Sequence, residues 1–275
     1  MKPLKIMMGV AAATMLMVAG SSKIEAQKVL VLYYSQTSNT KAVAQEIATK
    51  LNADIEEIAL VNPYSADYQS TIERSRKERE QGITPEIKPL KVDIAKYDVI
   101  FLGYPIWFGT YAPPIITWLN KVDLSGKTIV PFCTFGSGGL ESSVKDLTAI
   151  QPKAKILDSY GVRAARMAAM PEEVDQFLKE SGFIEGPYVK LPEFSKPHAL
   201  SDAEKSIFNG AVGNYPMIKA EALSVATRPI PYGIEYLYIA KSLPRADFPD
   251  MPLTEMKIYV TVANGEMPVF TKVVR

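Results

Sequence analysis

Between residues 27 and 182, apolar runs and amphipathic stretches alternate along the chain. "KVLVLYY" (28–34), "DVIFLG" (98–103), "TIVPFC" (128–133) and "AKILDS" (154–159) are near-continuous apolar segments, the pattern of strands buried on both faces. "ADIEEIA" (53–59) alternates, which predicts a strand nearer the sheet edge. Helical spacing marks 41–51, 113–119, 140–149 and 171–181 between them. This alternation predicts an α/β fold, a parallel sheet covered on both faces by helices. Residues 67–81 predict a further polar helix, supported by Glu73 with Lys77 and Arg76 with Glu80 and ended by Gly82. Its polarity reads as a solvated excursion.

The texture changes after Gly182. "IEGPYVKLPEFSKPH" carries three prolines and no period, which predicts a linker over 183–199. "SDAE" at 201–204 is a capping box, and Leu200, Ala203, Ile207, Ala211, Val212 and Tyr215 continue it at helical spacing. Strand-like runs follow at 217–227, 233–241 and 255–263, and "ANGE" joins the last to "MPVFTKVV" as a hairpin. Residues 200–275 therefore predict a smaller α+β domain with one helix and an antiparallel sheet. At the other end, a basic start, an apolar run over 6–20 and a small residue at Ala26 have the order of a signal peptide over 1–26. The run falls short of the roughly 20 apolar residues a spanning helix needs. The expectation is an exported protein, periplasmic or secreted, without stable membrane insertion after cleavage.

Charge narrows the partners. The chain has 31 basic and 30 acidic residues, and residues 27–182 hold 18 and 19, so nothing points to nucleic acid. A single cysteine, Cys133, excludes an internal disulfide. A single histidine, His198, excludes a histidine-cluster metal site and argues against a Ser-His-Asp enzyme. Cys133, at the end of an apolar run, reads as a buried small hydrophobe. His198 reads as a solvated or hydrogen-bonding linker residue, Arg163 and Arg166 as surface charges, and Glu141 as favouring the N-terminus of its helix.

Ligands of open parallel sheets sit beyond the carboxyl ends of the strands. Three loops there differ in chemistry. Ser35, Gln36, Thr37, Ser38, Asn39 and Thr40 form the first. Hydroxyls, an amide and the N–H groups of the following helix suit a phosphate monoester. The loop has neither the glycine and lysine pattern of a Walker loop nor a Gly-x-Gly-x-x-Gly turn. An ordinary capped helix is the alternative. The second loop holds Tyr104, Pro105, Ile106, Trp107, Phe108, Gly109 and Tyr111, aromatic and stiff, which suits a flat ligand; the alternative is core packing. The third holds Thr134, Phe135, Gly136, Gly138 and Gly139, where glycines let a backbone approach a ligand closely.

"YYSQTSNTKAVAQEI", "GYPIWFGTYAPPIITWL" and "PFCTFGSGGLESSVKDL" resemble the three FMN-binding loops of flavodoxins, closest to the branch with a Pro-Ile-Trp second loop. The resemblance spans about 27–182. It implies a doubly wound five-stranded parallel sheet of order 2-1-3-4-5. It implies FMN, with the phosphate held by Ser35, Thr37, Ser38, Asn39 and Thr40. Trp107 and its neighbours would flank the isoalloxazine, and Thr134, Gly136 and Gly138 would form the other rim. The function it implies is electron transfer, or reduction of a small acceptor such as a quinone, through bound FMN. The partner would be a redox protein or a small-molecule acceptor; as an enzyme it would be an NAD(P)H:quinone-type oxidoreductase. No side chain is assigned a catalytic role and no metal is expected. A different class also fits: a non-enzymatic binding protein using the fold as a scaffold. Residues 200–275 resemble a cystatin-like module, but "RPIPYG" (228–233) lacks the glutamine of that family's Gln-x-Val-x-Gly loop, so protease inhibition is not expected.

Overall fold

In the computed structural model, alternate residues of the first strand enter two separate cores. The structure describes residues 27–213, 215, 218–244 and 252–275; the segment read as a signal peptide lies outside them, as does Met217. The chain runs β1 (Val29–Tyr33), α1 (Asn39–Leu51), β2 (Asp54–Glu57), α2 (Tyr68–Glu80), β3 (Val99–Trp107), β4 (Thr110–Tyr111), α3 (Pro113–Leu119), β5 (Thr128–Phe135), α4 (Leu140–Ile150), β6 (Lys155–Ile156), β7 (Tyr160–Arg163) and α5 (Met170–Glu180). Then follow α6 (Asp202–Val212), β8 (Ala220–Ile230), β9 (Gly233–Ser242), β10 (Glu255–Ala263) and β11 (Val269–Val274).

Leu30 and Leu32 of β1, with Ile100, Leu102 and Tyr104 of β3, pack under α3 and α4. Val31 and Tyr33, with Val99 and Phe101, pack under α1 and α5. Strands clothed on both sides need apolar residues at every position, which is why these segments read as unbroken runs. Burying each large aliphatic chain is worth about 1.5–3 kcal/mol. The order β2-β1-β3-β5, with β6 and β7 both parallel to β5, is the doubly wound order expected. The run predicted over 154–159 forms only the short β6, and the longer partner of β5 at its carboxyl end, β7, begins just beyond that run at Tyr160. At Gly103 a Cβ would stand 2.1 Å from the Phe132 ring, so only glycine lets β3 and β5 close up there.

The helix at 68–80 is largely solvent-exposed, as its polarity predicts, and is anchored to the domain at a few points. Thr71 and Ser75 are buried, and Arg74 donates to the Asn62 and Pro63 carbonyls while its ion-pair partner on the helix is Glu78. The linker expectation is corrected, since that segment is partly structured: Ser195 and His198 pair with Thr227 and Val225 along β8. The C-terminal module has the expected architecture, α6 laid on a four-stranded antiparallel meander of order β11-β10-β9-β8. Its capping box is formed at both ends, between Ser201 and Glu204. Among the described residues, no helix is long and apolar enough to cross a membrane.

Candidate functional site

β1 ends against β3, where the Tyr34 N–H donates to the Gly103 carbonyl at 3.0 Å, and the chain then turns into α1. The turn is made at Ser38, in the left-handed region with φ 66°, and no side chain caps the helix. The other polar helix starts differ: Asp67 caps α2 by accepting from the Ser70 N–H, and Ser201 caps α6. Ser35 Oγ accepts from the Lys41 N–H at 3.2 Å. Among the described residues, none accepts from the N–H groups of Ser38, Asn39 and Thr40, and none bonds the side chains of Thr37, Ser38 and Asn39. Thr37 and Ser38 are exposed. An uncapped helix start ringed by neutral donors is a place for an anion, favoured by the helix dipole.

The remaining two residues of the loop face elsewhere. Gln36 accepts from the Tyr34 hydroxyl at 2.7 Å and donates to the Ser65 carbonyl at 2.8 Å, bracing the loop against the segment before α2. Thr40 is buried, its hydroxyl 2.9 Å from that of Thr134. That contact ties the first loop to the root of the third. A cleft of about 370 Å³ opens on the β2 side, lined by Tyr34, Ser35, Gln36, Glu57, Tyr64 and Lys88 among others.

The second loop is the tip of a hairpin between β3 and β4. Trp107 pairs with Thr110, and Phe108 and Gly109 take the turn with φ of 51° and 84°. Two positive angles in succession are what a two-residue hairpin turn demands. Pro105 and Ile106 are half-buried; the Pro105 carbonyl accepts from the Ala112 N–H. Trp107 is half-buried, held edge-on against Tyr34 and Tyr64 with ring centroids 6.2 and 5.1 Å away. Behind it the Tyr64 hydroxyl donates to Glu78, and Arg74 lies over the Tyr64 ring at 4.2 Å. Burial first, then the Glu78 carboxylate, pushes the Tyr64 hydroxyl far above its ordinary pKa. Phe108, not Trp107, is the exposed ring, 41% accessible, with Arg79 over it at 5.4 Å.

The third loop starts α4 from Gly139, φ 110°, again with no side-chain cap. Phe135 is a core residue, with Gly161 leaving room for its ring, so its side chain is not on a rim. Thr134 is likewise buried on Thr40. Ile106 lies against Gly139, and the Ser142 hydroxyl donates to the Gly109 carbonyl, so the second and third loops touch. The Gly136 carbonyl accepts from Arg163 Nε at 2.8 Å, and the Ser137 carbonyl accepts from the Val273 N–H at 2.7 Å. Gly138 bridges to Val273, whose carbonyl oxygen would be 2.1 Å from a Cβ at this position. Arg163 is therefore not a free surface charge, and Arg166 is paired with Glu173. Sequence reasoning missed both, because neither carries a local motif. Cys133 is buried as expected, and burial holds its thiol well above the usual range. Among the described residues there is no group of three histidine, cysteine, aspartate or glutamate side chains that could hold a metal ion.

The profile of the family described as flavodoxin matches residues 28–171, just over half of the chain. The chain belongs to the flavodoxin family. An FMN-dependent NADH:quinone oxidoreductase of Shouchella clausii (strain KSM-K16) is 28% identical over 166 residues, covering 57% of this chain and 76% of that protein. A crystal structure from Bacteroides eggerthii DSM 20697, named as a flavoprotein, is 29% identical with a TM-score of 0.50, covering 56% of this chain and 97% of its own. A flavoprotein solved in complex with FMN from Lactobacillus acidophilus NCFM is 25% identical with a TM-score of 0.45, covering 50% of this chain and 93% of its own. The first loop of this flavodoxin fits the group the family implies. A phosphate monoester needs converging donors, and the open start of α1 supplies both N–H groups and hydroxyls without a partner among the described residues.

Proposed function

We propose that this flavodoxin is an FMN-dependent oxidoreductase that reduces a small acceptor of the quinone class at the expense of a nicotinamide. The observation that carries the reading is the first loop, whose donors are left open while those at α2 and α6 are satisfied internally. Thr37, Ser38 and Asn39 hold the phosphate together with the N–H groups at the start of α1. Ser35, Gln36 and Thr40 shape the loop through bonds to Lys41, Ser65 and Thr134. Phe108 offers the exposed aromatic edge, and the third loop offers backbone. When bound, FMN supplies the redox chemistry. The chain's part is to bind it, orient it and exclude water. The only thiol of the chain is buried and its pKa is raised, so it is no nucleophile at neutral pH. The name of the Shouchella clausii relative supports a nicotinamide donor and a quinone acceptor. The order of residues 1–26 supports export.

The test is turnover. Mature protein incubated with FMN and desalted is expected to stay yellow and to oxidise NADH when a benzoquinone is added. Flavin retained without turnover would remove the reductase and leave a carrier. A colourless protein would remove the flavin reading altogether.

A further inference from the structure

The C-terminal module is not merely attached to the flavodoxin domain; it is bonded to the third loop. β11 is an edge strand of its sheet, and an open edge is a liability that proteins cover. Here the cover is the third loop. In the β10–β11 ladder Val273 stands opposite Ile258, yet its N–H points away from β10 to the Ser137 carbonyl. Arg163, at the end of β7, completes the joint. Its Nε donates to Gly136 and its other arm donates to the Phe270 carbonyl, each at 2.8 Å. The guanidinium is flanked by the Tyr215 and Phe270 rings at 4.8 and 4.6 Å. Lys272 of β11 adds an ion pair to Glu141 in the first turn of α4, at 2.9 Å.

We infer that the C-terminal sheet holds the third loop in its flavin-receiving shape, with Arg163 as the positioning residue that joins the two. This rests on the flavin reading above. A loop with glycine at 136, 138 and 139 has many backbone conformations available to it. Two of its carbonyls are fixed from outside, one by a strand edge and one by a guanidinium. The module therefore acts on the ring end of the flavin and not on its phosphate. Its effect on binding is the same for FMN and for riboflavin.

The experiment uses the full mature chain and three variants, Arg163→Gln, Arg163→Lys and Val273→Pro. Lysine keeps the charge but lacks the fork that serves two carbonyls. Proline deletes the N–H that reaches Ser137 at an edge position where β10 pairing does not use it. Amide hydrogen exchange of residues 136–141 is measured without flavin, and affinities for FMN and riboflavin are measured by fluorescence quenching. Faster loop exchange, an about tenfold loss of affinity shared equally by both flavins, and a shifted flavin midpoint potential are expected in all three variants. Arg163→Lys should fall between Arg163→Gln and the parent. Unchanged exchange, or freed exchange with unchanged affinity and potential, overturns the inference while leaving the flavin reading intact. Failure of the parent itself to bind either flavin overturns the proposed function, and this inference with it.

Discussion

The first and third loops are built alike and finished differently. Each follows a central strand, turns into its helix through a left-handed residue, Ser38 or Gly139, and has no side-chain cap. At the first, the helix start and the side chains of Thr37, Ser38 and Asn39 have no partner among the described residues. At the third, Gly136 and Ser137 are bonded to Arg163 and Val273. The first loop presents unpartnered donors of the kind a small dianion needs. The third is a shaped wall, and the C-terminal module supplies part of the shaping.

Substitutions can break that contrast or sharpen it. The largest effect is expected from Thr37→Ala with Asn39→Ala. Each lost bond to a charged phosphate costs about 1.5–3 kcal/mol, so FMN affinity should fall on the order of a hundredfold or more. Riboflavin affinity should scarcely move; quenching titrations of the two flavins read the difference directly. Gly139→Ala comes next. Its Cβ would sit 2.5 Å from Ile106 Cγ2, at a φ that alanine resists. Urea unfolding should show a loss of about 2–3 kcal/mol, and both flavins should weaken alike. Thr40→Val removes one hydroxyl of the buried Thr40–Thr134 pair. It should cost about 1–2 kcal/mol in the same assay without changing the preference for FMN over riboflavin. A lost preference would show that Thr40 faces the phosphate after all.

The smallest effect lies away from both loops. Glu204→Ala opens the capping box of α6 and should cost about 0.5–1 kcal/mol at neutral pH. Bonds from the Ser201 side chain and backbone, then the contact with His198, hold the Glu204 carboxyl below its ordinary 4.5. A lowered carboxyl pKa stabilises the fold above the unfolded value, and that stability is lost as pH falls through the folded one. The gap between parent and variant should therefore be full above the ordinary value of 4.5 and close in urea titrations as pH falls below it.

What the sequence made legible follows from how local each signal is. The two-sided burial of β1, β3 and β5 is written in consecutive apolar residues, and the donors of the first loop are neighbours along the chain. The capping box at 201–204 and the Asn-Gly turn of the last hairpin are equally local. The joint at the third loop is not: Arg163 and Phe270 lie 107 residues apart, and neither has a motif. An arginine ending a short edge strand looks like any surface charge until the partner carbonyls are known. The inward turn of Thr40 was hidden for a similar reason. Six polar residues in a row do not say which of them a strand 94 residues away will claim. That Phe108 is more exposed than Trp107 depends on a hairpin turn that fixes which ring points out, and on Tyr64, which comes from another segment.

The most direct measurement is the ratio of dissociation constants for FMN and riboflavin in the unaltered mature chain. If the open start of α1 grips a phosphate, FMN should bind tighter by on the order of a hundredfold or more, from two or more charge-assisted bonds. Equal affinities, or no binding of either, would contradict the account at its root.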